Sequence, residues 1–341
     1  MNIVFTICSN NYLAQAVTLG QSLVKFNPDY KFVIGLVDKR ISEIDYKAIP
    51  FDILEVESIG IDGFDEMIKR YDITELNTAV KPFYFKHFFS NTIDGDTVIY
   101  LDPDILVYSS FIDLEKALIE NDIVITPHFT TPLSDDKKQQ EEDFLNSGIY
   151  NLGFIAVKNT DVGNSMINWW AERLLYRCYI DFEKGLFTDQ IWINFVPLYF
   201  SGVHILLHKG YNIAYWNLHE RQLSLNGNSY FVNEIEPLAF YHFSGFNPQK
   251  SEVLAKYQDR YTFQNKLDIV PLFEDYSSKL LLNQYGVFIN YKCFYNGIKE
   301  ELDASIKKSK IDKIPIYKKV IRNILLRIIK RFDILMSYDN I

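Results

Sequence analysis

Cysteine is scarce: Cys8, Cys178 and Cys293 are the only three in 341 residues. An odd number set so far apart argues against a disulfide framework, matches no zinc module and points to a reducing compartment. No run of about 18 apolar residues occurs, so no segment reads as a membrane-spanning helix. The chain opens on a strand-like run, Ile3 to Cys8, without the basic-then-apolar pattern of a secretory signal, and a cytoplasmic location is expected. Internal repeats and low-complexity tracts are also missing.

Apolar material is plentiful. Hydrophobic residues make up 48% of the chain and aromatic residues 16%, enough for one large α/β domain with an appendage. The net charge of −9 hides an asymmetry. From Lys307 to Arg331 ten basic residues face one acid, Asp312, a balance of +9, so the remainder carries −9 less +9, or −18. A body this acidic is not that of a nucleic-acid binder. Between Ile316 and Met336 the basic stretch has a helical period. Val320, Ile321, Ile324, Leu325, Ile328, Phe332 and Leu335 share one half of the wheel, and Lys319, Arg322, Asn323 and Lys330 the other. A helix of this kind lies in a membrane interface, held by apolar burial and anionic lipid; the alternative is docking on the acidic body.

Ile3 to Cys8, Lys31 to Val37 and Phe51 to Val56 read as strands, with a helix over 12–26 that stops at Asn27-Pro28-Asp29. Strand, helix, strand with short links signals a parallel sheet covered by helices. Ligands of such sheets sit beyond the carboxyl ends of strands, which makes Ser9-Asn10-Asn11-Tyr12 a binding-loop candidate, although Asn10 or Asn11 could equally cap the helix. Residues 71–90 read as one helix bearing Lys81 and Lys86, and Ile123 to His128 as a strand with a polar end. Leu133 to Asp143 lacks apolar period and reads as a mobile loop beside the site. A turn at Asn151-Leu152-Gly153, a helix through Asn168 to Cys178, a helix capped by Thr188, strands at Tyr211 to Leu218 and Leu238 to Phe243, and a helix over Phe263 to Leu282 complete the pattern.

The stretch that carries chemistry is Val98-Ile99-Tyr100-Leu101-Asp102-Pro103-Asp104-Ile105-Leu106-Val107. It reads as a buried strand running into a turn, where side chains two apart point the same way, so Asp102 and Asp104 converge on one point. Two carboxylates so placed repel unless a cation lies between them, and a hard divalent ion is the natural one. For an isolated Asp-x-Asp the plainer alternative is a solvated turn.

Order and spacing of these pieces over roughly residues 1 to 250 resemble the GT-A glycosyltransferases of family 8. The pieces are the Asn-Asn-Tyr loop, a basic helix before the Asp-x-Asp strand, Asn151-x-Gly153, Asp189-Gln190 and His242-x-x-Gly245. The resemblance implies a mixed, mainly parallel α/β sheet with helices on both faces. It implies Mn²⁺ or Mg²⁺ held by Asp102, Asp104 and His242 with the donor diphosphate, a set suited to Lewis-acid support of a diphosphate leaving group. Ser9, Asn10, Asn11 and Tyr12 would form the nucleoside loop, with Ser9 standing where relatives often carry an aspartate. Lys81 and Lys250 would approach the diphosphate as point charges, with Gly245 beside them. Asp189, Gln190 and Asn151 would meet the donor sugar, and His128 would help line the acceptor pocket.

The activity so implied is retaining transfer of a hexose from a UDP-sugar to a surface glycan or lipid-linked saccharide, at the inner face of the cell membrane. The expected domains are a catalytic body over 1–250, a helical extension over 251–305 and a membrane-associating tail over 306–341. Trp216 to Arg221 and Ser251 to Gly297 have no assigned place in that pattern. A phosphohydrolase would want Thr or Val where Leu106 stands, and a nucleotidyltransferase would need a glycine-rich first loop. A non-catalytic GT-A-like membrane scaffold or glycan-binding protein would not need Asp102, Asp104 and His242 together.

Overall fold

A computed structural model describes residues 2–312. The amphipathic stretch from Ile316 to Met336 lies outside them. Chain packing divides at Asn296, with one compact unit before it and a second from Gly297 onward. In the second, the described part continues the helix Phe294–Asp312. No described helix is long and apolar enough to cross a membrane.

The first unit is built on a seven-stranded sheet. Its strands are β1 (Asn2–Cys8), β2 (Tyr30–Leu36), β3 (Asp52–Glu55), β4 (Thr97–Leu101), β6 (Ile123–Pro127), β7 (Tyr150–Lys158) and β8 (Val203–Ile205); β5 (Ile105–Val107) and β9 (Phe240–His242) pair apart from it. The spatial order is β8-β6-β7-β4-β1-β2-β3. All neighbours run parallel except β7, which is antiparallel to both β4 and β6. The apolar runs of β1 and β4 are buried along nearly their whole length, as strands covered on both faces require.

Helix α1 (Leu13–Phe26) closes at Asn27, whose N–H donates to Leu23 O and whose side chain accepts from Phe111 N. The stretch 71–90, expected as one helix, is two. Helix α2 (Ile73–Ala79) begins at a capping box between Asp72 and Glu75, and α3 (Lys81–Phe89) restarts after Val80 with Pro82 in its first turn. That restart puts Lys81 at the head of a helix beneath β4.

Three further expectations change. Tyr211 to Leu218 is not a strand: it makes one bridge, Ile213 to Tyr241, and a 3-10 turn at Tyr215–Asn217, because Asn212 takes a left-handed backbone at φ 55°. The helix expected from Phe263 starts at Val270 and runs to Leu282. Thr188 caps nothing; its φ is 45° and its hydroxyl donates to Asp189 Oδ1. Residues beyond 250 are part of the first unit's core, where Leu254, Phe273 and Tyr276 join Tyr241, Phe243 and Trp216 in one buried cluster.

Candidate active site

A cavity of about 540 Å³ opens at the carboxyl ends of β1 and β4. Strand β4 ends at Leu101, and Asp102 N donates to Gly153 O on the neighbouring strand, which fixes where the Asp-Pro-Asp turn leaves the sheet. Strand β5 then pairs antiparallel with β9, with Ile105 opposite His242, and Phe243 N donates to Asp104 O. This small ladder delivers His242 to the two aspartates. Its Nε2 lies 3.1 Å from Asp104 Oδ1 and 3.6 Å from Asp102 Oδ2. One ligand atom from each of the three residues falls within 4.8 Å of the others.

The surroundings fit a divalent cation. The His242 Nδ1 meets Asn212 Oδ1 at 3.3 Å, so the other ring nitrogen is aimed at the carboxylates, the orientation a ligand imidazole requires. Gly153 leaves room for that ring: a Cβ there would lie 2.6 Å from Nδ1. Asn151-x-Gly153 is therefore not a turn but part of β7, glycine being needed for close packing. The Tyr100 hydroxyl, two residues along the same strand face, donates to Asp102 Oδ1 at 2.6 Å. Burial raises the Asp102 carboxyl, an effect only partly opposed by Lys81 and His242. Burial disfavours the His242 imidazolium, but Asp104 and Asp102 outweigh it and hold the pKa above its ordinary value. Excess negative charge thus gathers at this point.

Beside it, Lys81 is almost wholly buried. Its Nζ lies 2.5 Å from Asp189 Oδ2, donates to Leu152 O at 2.9 Å and sits 4.0 Å from the centroid of the Tyr100 ring. Gln190 is fixed at both ends of its amide: Oε1 accepts from Leu152 N at 3.1 Å, and Nε2 donates to Ser147 O at 2.9 Å. Asn151 is a hub. Its Oδ1 accepts from Gly153 N and Asn212 Nδ2, both at 3.0 Å, and its Nδ2 faces His128 Nε2 at 3.2 Å. His128 is kept neutral by burial, which pushes its pKa down to about 3.

A profile of glycosyl transferase family 8 matches residues 2–250. The chain belongs to this family. A Bacillus subtilis (strain 168) protein, YfnF, described as uncharacterized, is 28% identical over 253 residues, covering 71% of this chain and 80% of its own. A second from the same strain, YfnD, also described as uncharacterized, is 24% identical over 249 residues, 71% and 76% of the two chains. Among solved structures, galactosyltransferase LgtC in complex with donor and acceptor sugar analogues aligns at 15% identity over 82% of this chain and 95% of its own, with a TM-score of 0.48. The glycosyltransferase GlyE of Streptococcus pneumoniae TIGR4 aligns at 17% over 86% and 65%, with a TM-score of 0.43.

In this family 8 chain, Ser9, Asn11, Tyr12, Lys81, Asp102, Asp104, His128, Asn151, Asp189, Gln190 and His242 all line the one cavity. Asn10, Gly245 and Lys250 do not line it. Asn10 is fully buried: its N–H donates to Asp38 Oδ2, its Nδ2 to Lys39 O, and its Oδ1 accepts from the Tyr46 hydroxyl, so it braces the loop from behind. Gly245 has φ 74°, and the Tyr257 ring packs where a side chain would go. Lys250 is exposed on the short turn Pro248–Lys250. Sequence reasoning missed Tyr100 and Asn212. The strand alternation that aligned Asp102 with Asp104 also aligns Tyr100 with them. A lone asparagine inside the apolar run Tyr211 to Trp216 was the signal for Asn212.

Proposed function

We propose that this family 8 member transfers a hexose, with retention of configuration, from a UDP-linked sugar to a saccharide or lipid-linked glycan acceptor, using a divalent metal, Mn²⁺ in preference to Mg²⁺. The observation that carries this reading is the convergence of Asp102, Asp104 and His242 on one point in the cavity of a glycosyltransferase family member. Two carboxylate oxygens and one imidazole nitrogen suit Mn²⁺ and leave positions for phosphate oxygens. The metal, when bound, supplies charge stabilisation to the departing diphosphate.

The protein's own groups divide the rest. Ser9, Asn11 and Tyr12 form the wall at the end of β1 where a nucleoside of an α/β sheet binds. Asp189 and Gln190, each held by a fixed partner, present an acceptor oxygen and an amide that orient sugar hydroxyls with little reorganisation. Lys250 is exposed on the turn after Gly245 and outside the cavity lining, and Lys81 is committed to Asp189, so the diphosphate charge is left mainly to the site formed by Asp102, Asp104 and His242. His128, neutral and bonded to Asn151, lines the acceptor side. The basic amphipathic sequence from Ile316 to Met336 supports work at an anionic membrane surface.

The test is a thermal-shift panel of nucleotide sugars with and without Mn²⁺, on wild type and Asp104→Ala. Ligand at a hundredfold over Kd stabilises by about 2.7 kcal/mol. Metal-dependent stabilisation by one sugar nucleotide, absent in the variant, is expected and names the donor. If no nucleotide stabilises the wild type at millimolar concentration with metal present, the transferase reading fails and a membrane scaffold takes its place.

A further inference from the structure

Two segments without a place in the sequence pattern, Trp216 to Arg221 and the stretch after Ser251, meet on the same loop. This is the polar loop after β6, expected to be mobile, and it is tied down at two places. At its start the Glu220 carboxylate accepts from Thr130 N at 3.1 Å and from Thr130 Oγ1 at 2.6 Å, and His219 Nε2 lies 2.9 Å from Thr131 O. Further along, Arg260 uses one edge of its guanidinium, Nε and Nη2. Its Nε lies 2.8 Å and its Nη2 2.9 Å from opposite oxygens of Asp135, and Nη2 also donates to Lys137 O at 3.1 Å and Gln139 O at 3.0 Å. Asp259 joins in, its carboxylate accepting from Lys138 N at 2.7 Å and its N–H donating to Lys138 O at 3.3 Å.

The clasp is anchored rather than floating. Leu254 and Ala255 are buried in the cluster of Tyr241, Phe243 and Trp216, Lys256 N donates to Gly245 O, and the Tyr257 ring packs on Gly245. What the clasp holds in place is Gln139, which lines the cavity and accepts from the Tyr215 hydroxyl at 3.2 Å. Sheet order says which side this is. The nucleoside wall follows β1 and the metal-ligand turn follows β4, while the loop follows β6 on the far side of β4, with His128 at its root.

Resting on the transferase reading above, we propose that Arg260 is a positioning residue for transfer: it holds the loop across the acceptor side of the cavity, sets Gln139 against the incoming saccharide and keeps water off the donor sugar. A lysine in its place keeps the charge but cannot make the two-oxygen contact and both carbonyl bonds at once. Loosening the loop admits water to the position the acceptor should fill. Hydrolysis is then the balanced side reaction. The bond between the anomeric carbon and the phosphate oxygen breaks, the nucleoside diphosphate leaves with the electron pair, the water oxygen bonds the anomeric carbon and its proton goes to solvent.

The experiment compares wild type, Arg260→Lys, Asp135→Asn and the double variant. It uses the sugar nucleotide identified by the thermal-shift panel, with Mn²⁺ and no acceptor, and adds hydrogen exchange of the free proteins. Arg260→Lys is expected to raise the kcat of hydrolysis threefold or more, with KM for the sugar nucleotide within twofold, and to speed exchange of the Lys138 amide at least tenfold. Asp135→Asn, a change at an exposed carboxylate, gives a smaller shift the same way and carries the test if Arg260→Lys does not fold. The double variant is no worse than Arg260→Lys, since both touch one contact. Faster exchange with unchanged hydrolysis, or a KM that rises with kcat falling, overturns the proposal. Failure of the wild type to bind any sugar nucleotide instead sinks the function on which it rests.

Discussion

Replacing Lys81 by Met tests the buried pair at the centre of the site. Methionine keeps the length of the side chain and the helix propensity of the first turn of α3, so the change is close to pure loss of charge. Both partners of the pair are 3% exposed or less, and the Lys81 ammonium has three neighbours: Asp189 Oδ2 at 2.5 Å, Leu152 O at 2.9 Å and the Tyr100 ring at 4.0 Å. Removing one member of a buried pair leaves an uncompensated charge and costs roughly 3–5 kcal/mol. Against a total stability of about 5–15 kcal/mol, that is a large and readily measured fraction. Asp189→Asn should cost less, because Lys81 keeps its carbonyl and ring contacts. The double variant should recover at least about 1.5 kcal/mol of the summed single losses, as residues in contact do. Urea titration followed by tryptophan fluorescence reads this directly, since Trp170 donates its indole N–H to Asp189 O. A Lys81→Met cost below about 1 kcal/mol, or additivity in the double variant, would refute the reasoning.

Gly153→Ala should displace the His242 ring, since the new Cβ would fall 2.6 Å from Nδ1 and 2.8 Å from Asn151 Oδ1. Mn²⁺ affinity by titration should drop tenfold or more, with an overpacking cost of about 1–3 kcal/mol; unchanged affinity would mean the ring is no ligand. Asn212→Ala removes the partner of His242 Nδ1 together with bonds to Thr126 and Asn151, and a loss of Mn²⁺ affinity of about 10–100-fold is expected. Metal binding at wild-type strength in this variant would show that the amide does not orient the ring. His128 has a folded pKa of about 3, set by burial, against an unfolded value of about 6.5. Below that unfolded value the unfolded chain binds a proton that the folded chain refuses, so this group lowers stability as pH falls from about 6.5 toward 3, by at most about 1.4 kcal/mol per pH unit. His128→Gln should flatten the slope between pH 6.5 and 5 in urea titrations; an equal slope in both proteins would place His128 elsewhere than in a dry pocket.

Legibility in the sequence followed the range of the interaction. Buried parallel strands declare themselves locally, because an apolar run such as Val98 to Leu101 has no other way to be satisfied, and those strands were readable. Alternation along one strand put Asp102 and Asp104 on one face, and the same rule would have given Tyr100. What could not be read is where the backbone departs from the local period. Tyr211 to Leu218 has strand composition but bends at Asn212, whose side chain bonds Thr126, Asn151 and His242 from three different parts of the chain. The loop 133–143 looked mobile by composition, yet its Asp135 carboxylate and Lys137 carbonyl answer to Arg260, more than a hundred residues away.

The same distinction explains how three aspartates in one cavity come to have different work. Asp189 is neutralised at 2.5 Å by Lys81, so that side of the pocket is close to electroneutral and suited to sugar hydroxyls, which bring no charge. Asp102 and Asp104 face His242 and the Tyr100 hydroxyl, and Lys81 attracts Asp102 while paired directly with Asp189, so the two carboxylates are not fully cancelled. An unbalanced negative centre, half open to the cavity, costs stability unless a cation completes it. The motif supplies the two carboxylates, and the imbalance that calls for a metal persists because the lysine of α3, though it attracts Asp102, is paired directly with the third. That allocation is a property of the fold, set by the break at Val80 that starts α3 at Lys81 under β4, and no spacing in the sequence announces it.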